Sequence, residues 1–137
     1  MLKNILVLTG SIIFALLGIV HLLYTFFTAK FLPADKSTVK SMKTTYPLIS
    51  SQTTMWKAWI GFNASHSIGL MFFGMINITL VSFYRETLND DFIIPSFNII
   101  VCLSYLLLAK KYWFKTPLVA IAIATLCFIT YFILRLI

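Results

Sequence analysis

The chain has 137 residues, of which 60% are hydrophobic and 11% charged, and its net charge is +7. A soluble domain carries about 25% charged residues, and a single domain of this length has no core large enough to hide so much apolar side chain, so lipid is the expected solvent. The positive charge does not point to nucleic acid, because most of the lysines flank apolar runs, where they set topology and meet anionic headgroups.

One integral membrane domain over residues 1–137 is expected. Its first span covers about residues 5–29. That apolar run is too long for the 7–15-residue core of a secretory signal, so it is expected to stay as a transmembrane helix. Gly10, Phe14, Leu17, Gly18, His21, Thr25 and Thr28 share one side of it, with Tyr24 at the edge, and such a polar side meets other helices. The next connection, residues 30–51, is the longest. Pro33 closes the span, Asp35 or Ser37 caps a short helix, and Pro47 ends it. Val39, Met42 and Tyr46 fall on one face with Lys36, Lys40 and Lys43 beside them, which fits a short amphipathic surface helix. The alternative is a solvated lysine-rich loop.

The second span covers about residues 53–84, with Trp56, Lys57 and Trp59 at the interface. Arg85, Glu86, Asn89, Asp90 and Asp91 are expected to form a tight, net-acidic turn. The third span, about residues 92–109, tolerates Pro95 in its first turn and puts Asn98, Cys102, Tyr105 and Ala109 on one face. Lys110, Lys111, Tyr112 and Trp113 make the next interface. The fourth span, about residues 115–137, aligns Thr116, Ala120, Ala124, Cys127, Tyr131 and Arg135. Cys102 and Cys127 lie inside apolar segments with no C-x-x-C, so free thiols are expected. The fold class is all-α: an antiparallel bundle of four transmembrane helices. Eight lysines lie in or beside the first and third connections, against Lys3, Arg85 and Arg135 on the opposite side. The positive-inside rule therefore places those connections in the cytoplasm and both termini outside.

The stretch from Gln52 to Gly69 organises the rest. At 100° per residue, Trp59, Asn63, His66, Leu70 and Asn77 lie within about 40° of one line. Gly61, Ser65 and Gly69 make a second line of small residues at spacing four. Such a ladder lets another backbone approach closely: segment one, segment four, or the same helix of a second copy. Ala120 and Ala124 offer a similar surface on the fourth span.

Histidines inside spans are functional candidates by default. His21 and His66 both lie roughly 9–15 Å in from the side of the first connection, at 1.5 Å per residue, so their rings can reach one level. Three uses follow. They can belong to a polar network with Tyr24, Thr25 and Asn63 that fixes helix register. They can line a site for a lipid or quinone headgroup together with Tyr24, Thr25, Trp59, Asn63, Asn98 and Tyr105. Or they can be the axial ligands of a haem b. No recognisable spacing of acids or thiols around them suits another metal. Catalysis has less support, because Asp35, Glu86, Asp90 and Asp91 all lie in connections and leave no carboxylate in the spans to act as a base. The expected role is non-catalytic: binding a lipid-like small molecule between helices, or acting as a small subunit in a homo-oligomer or membrane protein complex. The alternative is a redox or enzymatic site at His21 and His66.

Taken together, Gly18–Phe26 (G-I-V-H-L-L-Y-T-F) and Trp56–Gly69 (W-K-A-W-I-G-F-N-A-S-H-S-I-G) resemble small bacterial four-helix membrane proteins. The layout is loosely similar to DoxX-like proteins. The resemblance implies a four-helix bundle in the bacterial inner membrane and carries no particular activity. A weaker similarity, through the histidine in the first helix, the L-P…Y-P connection and the tryptophans opening the second helix, is to the EXPERA or emopamil-binding-like fold. The intramembrane carboxylates of that fold are missing here.

Overall fold

A computed structural model of the chain describes residues 1–137, apart from the side chains of Asn89 and Asp90. The chain is 81% helix, with no strand among the described residues. Six helices follow in order: α1 (Leu2–Phe27), α2 (Lys36–Thr44), α3 (Met55–Phe83), α4 (Arg85–Asp90), α5 (Ile93–Tyr112) and α6 (Lys115–Leu136). Of these, α1, α3, α5 and α6 are long and apolar enough to cross a membrane, which makes the chain a multi-pass membrane protein by length and composition. Large apolar side chains stand exposed on all four, among them Leu16, Phe72, Ile100 and Leu126. In water such surface is a liability; against lipid tails it is the ordinary outer face.

Two expectations change at the helix ends. α5 runs on to Tyr112, past the lysines expected to lie beyond it, because the backbone ladder continues: the Trp113 N–H still donates to the Ala109 carbonyl at 3.1 Å. The expected acidic turn is instead the short helix α4. Arg85 Nε donates back to the Val81 carbonyl (3.0 Å), and the Asp91 carboxylate accepts from the Ile93 N–H (2.7 Å) as α5 begins. The Asn89 and Asp90 side chains of that expectation lie outside the described residues.

The contacts divide the chain into two units, Met1–Leu17 with Leu70–Ile137, and Gly18–Gly69. α1 and α3 each contribute to both. In the first unit, Phe14 of α1 stands edge-on to Phe73 of α3 (4.8 Å) and to Tyr105 of α5 (5.6 Å), and Phe73 leans on Phe128 of α6 (5.7 Å). α5 and α6 pack against each other. Glycine sets the closest approach: a Cβ on Gly74 would sit 2.5 Å from the Ser11 carbonyl oxygen and 2.7 Å from the Ala15 nitrogen, so α1 and α3 touch backbone to backbone there. A Cβ on Gly10 would meet the Phe128 ring at 2.8 Å and the Ala124 carbonyl oxygen at 3.2 Å. Buried polar groups of this unit find partners within their own helix or on a neighbouring one, as an apolar solvent requires. Ser11 and Thr125 hydroxyls donate to carbonyls four residues back, Tyr131 OH donates to the Leu88 carbonyl (2.9 Å), and Asn77 and Asn98 join in a reciprocal amide pair (2.6 and 3.2 Å).

The second unit holds the C-terminal third of α1, the first connection with α2, and the first half of α3. The connection contains the expected short helix. Asp35 caps α2, its carboxylate accepting from the N–H groups and hydroxyls of Ser37 and Thr38. Those bonds, the Ser37 hydroxyl first and the Thr38 hydroxyl second, hold the Asp35 carboxyl well below the usual carboxylate range. α2 has no buried residue, and Val39 and Met42 are its two half-covered ones. The Lys43 ammonium lies 5.2 Å above the Trp56 ring, and the Met55 N–H donates to the Thr45 carbonyl (2.9 Å), which ties the end of α2 to the start of α3.

Candidate functional site

The second unit brings His21, Asn63 and His66 together. α1 and α3 present these three because each lies on the polar side of its helix, and in an apolar solvent polar sides find each other. His21 Nε2 lies 2.9 Å from Asn63 Oδ1, and the two imidazoles stand edge to face with centroids 5.2 Å apart and planes 69° from parallel. Asn63 Nδ2 donates to the Trp59 carbonyl at 2.8 Å. A carbonyl can only accept, so that bond fixes which end of the amide faces His21: it is the oxygen. The His21 Nε2 must therefore carry the proton and donate.

The surroundings hold these groups in place. The Thr25 hydroxyl donates to the His21 carbonyl (2.8 Å), and the Ser67 hydroxyl donates to the Asn63 carbonyl (2.8 Å). Both stay inside their own helices, so neither offers its proton to a ligand. Just past α1, Phe31 folds back over the site, 4.5 Å from the His21 ring and 5.9 Å from Tyr24. Lys30 Nζ donates to Tyr24 OH at 3.0 Å and lies 4.3 Å from its ring centroid. Trp59 stacks on Trp56 at 5.5 Å. His21, Tyr24, Trp59, Asn63 and His66 are all half-buried. The site thus has a polar floor of two imidazoles and an amide, an aromatic cover, and an ammonium at its outer edge.

The remaining expected residues make contacts elsewhere. Asn98 belongs to the first unit and is committed to Asn77, while Tyr105 in the same unit supports Phe14. Gly61 and Ser65 are exposed and Gly69 is half-buried; nothing lies within 4 Å of a Cβ built on Gly61. Within the chain, the backbone-to-backbone approach of α1 and α3 lies at Gly74. Ala124 is buried beside Gly10, and Ala120 is half-buried. Sequence reasoning missed Phe31, although an aromatic between the end of a span and Pro33 was the available signal. It also missed the Asn77–Asn98 pair, although each amide stood alone in an apolar run.

The haem alternative does not fit these residues. Axial histidines must aim at one iron across a flat gap as wide as the macrocycle. Here the rings meet edge to face, and the proton on His21 Nε2 is directed at Asn63. Among the described residues there is also no cluster of three or more His, Cys, Asp or Glu side chains that would suit another metal. No family model, curated protein or solved structure matches the chain.

Proposed function

We propose that the chain is an antiparallel bundle of four transmembrane helices in a bacterial inner membrane, with both termini outside, that binds a lipid-like small molecule at His21, Asn63 and His66. The observation that carries this is the combination of convergent polar groups and aromatic cover. A network that served only register needs no lid, whereas Phe31, itself edge-on to Tyr24, lies against the His21 ring as an apolar cover. A few oriented polar groups within an aromatic wall is how membrane bundles hold amphiphiles. The edge-lying Lys30 suits an oxygen-rich headgroup. Orientation follows from the lysines of the first and third connections. The outward Gly61–Ser65 line, open at Gly61, supports a second copy or another membrane subunit as partner.

The test is thermal unfolding in detergent after delipidation. A ligand of the native state raises the melting temperature with its concentration. Adding back a total bacterial lipid extract should raise it saturably for the wild type and much less for His21→Ala and His66→Ala. An equal rise in all three would mean general solvation and would remove the site.

A further inference from the structure

Residues 45–55 form a loop closed at its neck by the Met55 N–H to Thr45 carbonyl bond (2.9 Å). Its tip is a tight turn in which the Ser50 N–H donates to the Pro47 carbonyl (3.1 Å). Proline and serine at the ends of the turn are ordinary turn chemistry. The two central residues are not: they are Leu48 and Ile49, 106% and 93% exposed, with Tyr46 exposed just before them. Among the described residues no non-glycine residue has positive φ, so the turn's backbone imposes no special side chain, and polar residues serve such turns better. No side chain of the chain covers them. Their surroundings are basic: five lysines, Lys30, Lys36, Lys40, Lys43 and Lys57, and one acid, Asp35, lie between residues 28 and 57. The Asp35 carboxylate is already occupied by four bonds from Ser37 and Thr38.

We infer that the Leu48–Ile49 turn inserts into the surface of the anionic bilayer that the chain spans. Reach supports this. The neck sits on the first residue of α3, beside Trp56 and Lys57, residue types that settle at the membrane interface. Leu48 is the third residue after Thr45, and a chain that short extends at most about 10 Å. Interfacial apolar groups sink roughly 5–10 Å into the headgroup–acyl boundary, so the tip is held at the level where insertion occurs. Charge chooses between occupants. A second copy would bring the same five lysines against this set, whereas phosphatidylglycerol brings the opposite charge.

The experiment uses the full chain with both native cysteines replaced (Cys102→Ala, Cys127→Ala), reconstituted in vesicles of phosphatidylcholine alone or with one quarter phosphatidylglycerol. A nitroxide is placed in turn at Leu48→Cys, Ile49→Cys, Ser51→Cys and, as hydrocarbon reference, Phe72→Cys. The labels at 48 and 49 should be at least threefold less accessible to a water-soluble nickel chelate than the label at 51, with the greater protection in phosphatidylglycerol. Equal nickel access at 48, 49 and 51, with 72 protected, would place the tip in water and overturn the inference. Protection accompanied by spin–spin broadening that vanishes on dilution with unlabelled chain would assign the tip to a second copy and equally overturn it. If the cysteine-free chain does not fold, trypsin cleavage at Lys43 and Lys57 in the same vesicles gives a second readout. The Leu48→Ser/Ile49→Ser variant should be cut several-fold faster than the wild type, and equal rates would overturn the insertion.

Discussion

At the scale of single residues, two amide-centred contacts carry most of the specificity. Asn63 joins α1 to α3, and its orientation is set by its bond to the Trp59 carbonyl. It follows that His21 carries a proton on Nε2. Nitrogen-15 spectra of histidine-labelled protein in bilayers should show His21 Nε2 protonated at neutral pH, and Asn63→Leu should abolish that preference. An unprotonated Nε2 in the wild type would refute the assigned pair. Asn77 and Asn98 form the second contact, both almost fully buried. Removing one amide leaves the other buried without its partner, which costs about 1–3 kcal/mol in a protein interior, although interhelical bonds inside membranes average about 0.6 kcal/mol because the unfolded chain finds other partners. We therefore expect Asn98→Leu to destabilise by about 1 kcal/mol, and Asn77→Leu/Asn98→Leu to recover part of that loss in unfolding by denaturing detergent. Additive losses would show that the amides do not interact. Each of these residues was visible in the sequence as a polar group in an apolar run. A shared network of His21 and Asn63 was among the expected readings, but the Asn77–Asn98 pairing was not, because a helical wheel gives direction around one axis and says nothing about which neighbouring helix stands opposite.

At the scale of elements, the helices were legible because hydrophobic length and flanking lysines report directly on what lipid tolerates. α2 was legible through its Asp35 cap and Pro47 stop. The contact glycines were not. The Gly61–Ser65–Gly69 spacing suggested a groove, and within the chain α1 and α3 meet backbone to backbone at Gly74, against Ser11 and Ala15. A single small residue leaves no periodic signal. Gly74→Ala should lower stability by about 1–3 kcal/mol through overpacking, and Gly61→Ala should leave the single chain as stable or slightly more so, since its Cβ meets nothing within that chain and alanine favours helix. Equal melting temperatures for the two variants in detergent would contradict this placement. α2 carries a pH dependence of its own. The Asp35 carboxyl is depressed in the folded chain, so its capping contribution is complete above its unfolded value of about 4 and fades as pH falls through the lower folded value. Amide exchange within Lys36–Thr44, corrected for intrinsic rates, should therefore show weaker protection for Asp35→Ala than for the wild type at pH 6. The difference should narrow only in strong acid. A difference already gone at pH 5 would contradict the depressed carboxyl.

At the scale of the whole molecule, the sequence made the solvent plain and left the task obscure. Four long apolar helices and a basic, apolar-tipped connection define a chain built for a membrane. The meeting of His21, Asn63 and His66 was one of the readings the polar sides of the first two spans allowed, whereas Phe31 closes over His21 from a connection that carries no helical period. The central claim, a small amphiphile held by this polar floor under its aromatic cover, is tested most directly by native mass spectrometry of the chain purified in mild detergent. The account predicts a stoichiometric extra mass on the wild type, within the range of a lipid or quinone, that is lost in both His21→Ala and His66→Ala. A bare wild-type protein, or an adduct retained by both variants, would contradict it and leave the two histidines as interhelical glue.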